Sequence, residues 1–162
     1  MPERYTVRVT KDYLVFCSGH FISYRGHQCE RLHGHNYRAA VEVEGPLQED
    51  YYVFDFIALK QLTKDITDEL DHRMLLATRN RVISVEDSGS SVRVRYQDRE
   101  WVFPRDDCVL LPIENTTAEL IARYIGTRLL ESMKAQERFV PEVLRVEVEE
   151  APGQSATVEM RS

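Results

Sequence analysis

A chain of 162 residues, 43% hydrophobic and 30% charged, carries enough apolar side chain for one full core and is too apolar to be disordered. Its net charge of -6 argues against a general nucleic-acid binder, and no run of eighteen apolar residues is present to span a bilayer. Three cysteines (Cys17, Cys29, Cys108) form no C-x-x-C pair, and Met1-Pro2-Glu3-Arg4 lacks the apolar core of a secretory leader, so a reducing cytoplasm is the expected compartment.

The β-branched and aromatic residues of Tyr5 to Phe16 predict a strand with a break at Lys11-Asp12, ending near Gly19 with His20 at its C-terminal edge. A polar loop from about Ser23 to Arg31 holds His27 and Cys29. From His33 to Glu44 the alternation is clean: His33, His35, Tyr37, Ala39, Val41 and Val43 share one face, and Gly34, Asn36, Arg38, Ala40, Glu42 and Glu44 the other. Gly45-Pro46 and Gln48-Glu49-Asp50 turn the chain, and Tyr51 to Phe54 extends it briefly. Asp55 then caps a helix over Phe56 to Leu70, whose stripe is Phe56, Leu59, Leu62, Ile66 and Leu70.

Residues Arg81 to Leu111 read as further β structure, a hairpin or three short strands, with turns at Asp87-Ser91 and Gln97-Glu100. Arg93 and Arg95 fall on its solvated face. Thr116 and Glu119 fit a capping box for a helix running to about Met133. In the next strand Leu144, Val146 and Val148 point one way, and Glu150 continues that apolar face, where a carboxylate needs a reason. Pro152-Gly153 turns into a last strand, Ser155 to Met160. The expected class is α+β: one domain over residues 1–162, an antiparallel sheet with two helices on one face, and an additional β segment at about 79–112.

The chemistry concentrates in Cys29-Glu30-Arg31-Leu32-His33-Gly34-His35, a C-x-x-x-H-G-H run. Two histidines two apart on a strand project from one face, and they are costly to bury there without partners. With His20 they make the open ligand set of a catalytic metal, leaving the fourth position for water or substrate. Taken alone, the residues leave other readings open. Cys29 can close the site as a fourth ligand, and Asp71-His72 can be a helix C-terminus that favours an imidazolium. Thr116 or Thr117 with Glu119 can be only a cap, and Glu150 can sit in a salt bridge at a sheet edge. His27 reads as a loop histidine, and Cys17 and Cys108 as small buried hydrophobes.

Six blocks together resemble the 6-pyruvoyl- and 6-carboxy-tetrahydropterin synthase family. They are Phe16-Cys17-Ser18-Gly19-His20, Cys29 to Tyr37, Val53-Phe54-Asp55-Phe56 with Leu59-Lys60, Leu70-Asp71-His72, Thr117-Ala118-Glu119 and Val148-Glu149-Glu150. The resemblance implies the tunnelling fold, with subunits joining their sheets into a barrel as a dimer of trimers and with active sites between subunits. It implies Zn2+ on His20, His33 and His35, a catalytic set of Cys29, Asp71 and His72, and pterin contacts from Glu150, Thr117 and Glu119. Three residues separate Cys29 from the H-G-H run, as in the 6-carboxy enzymes of queuosine biosynthesis; animal 6-pyruvoyl enzymes have a longer gap. The expected reaction is therefore conversion of 7,8-dihydroneopterin triphosphate to 6-carboxy-tetrahydropterin, acetaldehyde and triphosphate. Formation of the pyruvoyl product, or a non-catalytic zinc and pterin-binding role, is the alternative. Two departures stand out: the segment from Arg79 to Pro112 is long for the bacterial members, and Leu75 is followed by Leu76 where the family often has Leu-Asn.

Overall fold

The computed structural model describes residues 3–162. In chain order these form β1 (Tyr5–Val9), β2 (Val15–His20), β3 (Ser23–Tyr24), β4 (Gln28–Cys29), β5 (His33–Gly45), α1 (Phe56–Leu70) and β6 (Arg73–Ala77). There follow β7 (Ser84–Asp87), β8 (Ser91–Tyr96), β9 (Arg99–Pro104), β10 (Cys108–Leu111), α2 (Ala118–Ser132), β11 (Val143–Ala151) and β12 (Gln154–Arg161). Seven of the strands make one sheet in the order β10-β6-β2-β5-β11-β12, with β1 and β2 pairing successive halves of the long β5. The predicted break at Lys11-Asp12 is the turn that separates β1 from β2, closed by Leu14 N–H donating to the Lys11 carbonyl at 3.0 Å.

The alternation read in β5 decides which face receives the helices. Tyr37, Val41 and Val43 join Phe16, Leu144, Val146 and Val148 in one cluster with Leu59, Leu62 and Ile66 of α1 and Ile121, Ile125 and Leu129 of α2. Phe16 stacks on Tyr37 with ring centroids 4.9 Å apart. Gly126 lets α2 approach the sheet, since a Cβ there would stand 2.7 Å from Met160 Sδ. The opposite face carries charge in opposed pairs: Arg145 meets Glu42 at 2.7 Å, Glu44 at 3.0 Å and Glu159 at 2.8 Å. The expected α+β arrangement, with both helices on one face, is the observed one.

Several local readings change. The sheet is mostly antiparallel, but β6 runs parallel to both β2 and β10. Neither β6 nor β10 was read as a separate main-sheet strand, because both are buried apolar runs with no alternation to reveal them. Tyr51 to Phe54 forms bends, and its Val53 and Phe54 turn inward instead. Thr117, not Thr116, caps α2, so Glu119 falls at the second helical position. Cys29 lies on the short β4 rather than in open loop. Cys17 is exposed, because it falls on the charged face of β2; Cys108 is buried as expected.

Residues 84–104 form a separate three-stranded sheet, β7-β8-β9, between the two parallel main-sheet strands β6 and β10. It has its own apolar cluster: Val92, Val94 and Ile83 pack with Phe21, Met74 and Leu76, and Trp101, Tyr96 and Cys29 lie against them. Arg93 and Arg95 are exposed and pair with Glu100 at 2.9 and 2.8 Å, so the solvated-face reading holds.

Candidate active site

β2 and β5 pair antiparallel with His20 opposite His33. Side chains alternate along both strands, so His20, His33 and His35 converge on one face, and their ligand atoms lie within 4.8 Å of one another. The backbone fixes two of the tautomers. His20 Nδ1 lies 2.9 Å from the Thr116 carbonyl and His33 Nδ1 lies 2.7 Å from the Arg31 carbonyl. A carbonyl only accepts, so both Nδ1 atoms carry hydrogen, and in the neutral ring each Nε2 presents a bare lone pair. Those two Nε2 atoms face each other at 3.1 Å. Two lone pairs at that distance repel unless a cation stands between them. Ligands about 2.0–2.1 Å from a tetrahedral ion stand roughly 3.3 Å apart, so the spacing suits one.

The third imidazole gives an independent sign. His35 Nε2 is buried with no hydrogen-bond partner among the described residues. Glu150 Oε1 comes within 3.3 Å of it, without hydrogen-bond geometry. Burial, ahead of the repulsion from His33 and His35, lowers the His20 pKa to about 4, so near neutral pH this imidazole is an uncharged ligand. Three converging imidazoles, buried or half-buried and two of them oriented by carbonyls, could hold a divalent metal ion. The residues fit that role.

Beside the cluster opens a cleft of about 320 Å³, lined by Thr117, Glu119, Glu150, Ile22, Gln154 and Ser155 among others. The three expected pterin contacts therefore come together in one cleft. Glu150 joins the cleft to the histidines, because the face that carries Val146 and Val148 ends on it. Thr117 is also a true cap, accepting from Leu120 N–H at 3.4 Å.

Cys29 is half-buried; its Sγ contacts the Glu30 carbonyl at 3.4 Å and it is not one of the converging ligands. Burial pushes its thiol pKa up, against the pull of the Arg99 guanidinium. Glu30, met in the sequence only as a spacer, reaches the cluster: its Oε2 lies 3.8 Å from His33 Nε2 and accepts from Ile22 N–H at 3.2 Å. Tyr37 was likewise read only as core, yet its buried hydroxyl has no partner and its ring stands 5.4 Å from that of His35.

Asp71 and His72 form a hydrogen-bonded pair, Oδ2 to Nδ1 at 2.8 Å. Asp71 is anchored by the Cys17 N–H at 2.8 Å, and the His72 N–H donates to the Cys17 carbonyl at 2.7 Å. Burial pushes the Asp71 carboxyl up, but these donors outweigh it and hold its pKa below the usual value. His72 adopts a left-handed φ of 56°, a conformation uncommon for a residue with a side chain. It shares a surface hollow with Cys17, Gly19 and Gly34, the face opposite the three histidines.

The family model described as 6-pyruvoyl tetrahydropterin synthase matches residues 8–161. The chain belongs to the 6-pyruvoyl tetrahydropterin synthase family. It is thus an enzyme of a lyase family, and its α+β architecture is the tunnelling fold of these synthases. A protein of Methanocaldococcus jannaschii, provisionally named 6-carboxy-5,6,7,8-tetrahydropterin synthase, is 32% identical over 145 residues, 88% of each chain. The 6-pyruvoyl tetrahydropterin synthase of Plasmodium falciparum superposes with a TM-score of 0.91 at 32% identity, covering 99% of this chain and 100% of that one. The Plasmodium vivax synthase gives 0.90 at 30% identity, with the same coverage, in a form whose catalytic glutamate is replaced by alanine.

Proposed function

We propose that the chain is a zinc-dependent lyase. It converts 7,8-dihydroneopterin triphosphate and water to 6-carboxy-5,6,7,8-tetrahydropterin, acetaldehyde and triphosphate, in the queuosine type of 7-deazapurine synthesis. The observation that carries this reading is the convergence of three imidazoles, two of them oriented by backbone carbonyls, beside a carboxylate that opens into a pterin-sized cleft. The M. jannaschii relative favours the carboxy product.

His20, His33 and His35 would hold the ion, which when bound supplies Lewis acidity toward the substrate's side-chain oxygens. Glu150 accepts N–H hydrogens of the pterin ring, with Thr117 and Glu119 on the other wall of the cleft. Cys29 takes a proton from the substrate side chain as general base. His72 gives its Nδ1 hydrogen to Asp71, which leaves Nε2 free to pass protons outward.

His72 faces away from the three histidines of its own chain, so it serves the site of a neighbouring subunit. β12 and β10 each pair on one side only among the described residues, which leaves both ends of the sheet open to extension into the barrel of a dimer of trimers. Three free cysteines agree with a reducing cytoplasm, and no helix among the described residues is long and apolar enough to cross a membrane.

A second reading keeps the site and changes the product and the base. Glu30 lies within 3.8 Å of a metal-binding nitrogen, and the P. vivax synthase works with a catalytic glutamate. On that reading Glu30 moves the proton, and triphosphate leaves to give 6-pyruvoyl-tetrahydropterin. Zinc-loaded protein incubated with 7,8-dihydroneopterin triphosphate, with products identified by mass spectrometry, separates the two. The carboxy product with acetaldehyde supports the first reading, the pyruvoyl product the second, and intact substrate at full zinc occupancy overturns both.

A further inference from the structure

The small β7-β8-β9 sheet is fastened to the segment that carries Cys29 and Glu30 at every stage of that segment's course. At the start, Asn80 donates from Nδ2 to Ser23 Oγ at 2.9 Å, while its Oδ1 accepts from the N–H groups of Val82 and Ile83, the entry to the small sheet. Asn115, just after the return to the main sheet, donates to the Ser23 carbonyl at 2.8 Å and accepts from the Ser23 N–H at 3.3 Å. At the middle, Tyr96 Oη donates to the His27 carbonyl. At the end, Cys29 packs into the apolar cluster of the small sheet, where Trp101 stacks on Phe21 at 4.6 Å and the Arg99 guanidinium lies 4.7 Å over the indole.

Within the segment only short-range contacts order it: Glu30 N–H donates to the Ile22 carbonyl at 2.9 Å, Ile22 N–H donates to Glu30 Oε2 at 3.2 Å, and His27 N–H closes the turn on the Tyr24 carbonyl at 3.3 Å. β3 and β4 are two residues each, and Arg25 and Gly26 at their turn both have positive φ. A ladder that short does not hold itself in water. Its tip is exposed from Tyr24 to His27. The three histidines depend on it less, since β2, β5 and the Thr116 carbonyl fix His20 and His35, and only His33 takes a partner, the Arg31 carbonyl, from the end of the segment.

We propose that the inserted sheet is a clamp that sets the Cys29–Glu30 pair against the three-histidine cluster, with Tyr96 and Trp101 as its positioning residues. The residues that hold the metal and the residues that move the proton are then positioned by different parts of the chain. The clamp rests on the lyase reading for its kinetic consequence alone; its structural consequence stands without it.

The test uses full-length protein carrying Tyr96→Phe, which keeps the ring and removes one hydroxyl, and separately Trp101→Leu. Hydrogen exchange of the amides from Arg25 to Glu30 is followed by mass spectrometry, with the β2 amides as an internal standard for global unfolding. Loss of one hydrogen bond at the His27 carbonyl should speed exchange there by about fivefold while β2 is unchanged. Alkylation of Cys29, mapped by peptide apart from the exposed Cys17, should rise by a similar factor, and by more in Trp101→Leu. Zinc affinity, from chelator competition, should stay within about twofold, because no ligand or its carbonyl partner is touched. In turnover, kcat should fall several-fold with KM nearly unchanged. Unchanged exchange and alkylation in both variants, or a zinc affinity that falls in step with them, overturns the clamp. A wild-type protein that turns over no pterin overturns the lyase reading, and the exchange and alkylation results still decide the clamp.

Discussion

Two catalytic-looking groups meet β2 on opposite faces of one sheet, one at the end of the strand and one docked against its backbone. His20, at its end, is 1% exposed and locked by Thr116; the His72 side chain, held against the Cys17 backbone, is 81% exposed. The first belongs to a set that is complete within one chain. The second is oriented with equal care, by Asp71 and two backbone hydrogen bonds, yet it faces outward from the wrong side to reach its own cluster. Orientation without a local target is what a residue presented to another subunit looks like. On the proposed assembly, the contrast separates what folding of one chain supplies from what a neighbouring subunit supplies.

The largest effect should come from breaking the self-contained side. Replacing His35 by Ala removes one of the three proposed ligands and also relieves a buried nitrogen that has no partner among the described residues. Zinc affinity should fall by at least about 100-fold, more than loss of an outer partner costs, while the fold survives. Chelator competition with a far-ultraviolet spectrum as control checks this; an affinity unchanged within tenfold would remove His35 from the site.

The outward side breaks differently. Cys29→Ala and Asp71→Asn should each lower kcat by about 10²–10⁴-fold. If the two groups act from different chains, unfolding and refolding an equal mixture of the dead variants should restore about a quarter of the sites, the share that draws both intact residues at random. No recovery in mixed oligomers of confirmed composition would place both groups in one chain's site.

A smaller effect discriminates Cys29 from Glu30. Burial holds the Cys29 thiol above its ordinary value of 9.0 in the metal-free protein, so its thiolate fraction at pH 7 is lower than that of an exposed thiol. The alkylation rate of Cys29 should therefore keep climbing above pH 9, and Arg99→Gln, which removes the one opposing positive charge named here, should move the curve further up. A Cys29 that alkylates with an inflection below neutral pH contradicts that environment. Should Glu30→Gln abolish turnover while Cys29→Ala leaves it within about tenfold, the proton belongs to the carboxylate.

How much of this was legible depended on whether a signal was periodic or borrowed from afar. β5 and α1 were readable to within a residue because alternation and an Asp55 cap are local facts. The three histidines were readable because alternation along a strand turns a spacing of two into a shared face, and the pairing of β2 with β5 sets His20 opposite His33. β6 and β10 were missed as main-sheet strands, since short, uniformly apolar runs such as Met74–Ala77 and Cys108–Leu111 show neither period. Glu30 was missed because nothing local distinguishes a carboxylate that bends back toward His33 from one in solvent. The role of the 84–104 sheet was equally hidden: Tyr96 and His27 are 69 positions apart, and no spacing rule links them.

The smallest effect concerns two adjacent threonines that the sequence could not rank. Thr116 was the expected cap, and the structure gives that task to Thr117. Thr116 is buried, with Oγ1 3.2 Å from His20 Nδ1 and donating to the Phe21 carbonyl at 3.3 Å. It stands on the metal side of the comparison, while Thr117 stands on the pterin side and at the start of α2. Thr117→Ala should cost about 1 kcal/mol in urea denaturation, the ordinary loss of a cap, and leave zinc affinity alone. Thr116→Val keeps the carbonyl that orients His20 but strips the hydroxyl beside it. It should cost about 1–2 kcal/mol and weaken zinc by several-fold. The two variants must therefore part company on zinc while agreeing roughly on stability. If Thr117→Ala weakens zinc as much as Thr116→Val does, the histidine cluster depends on the helix start as a whole, and the division between a metal side fixed by β2 and β5 and a pterin side fixed by α2 is wrong.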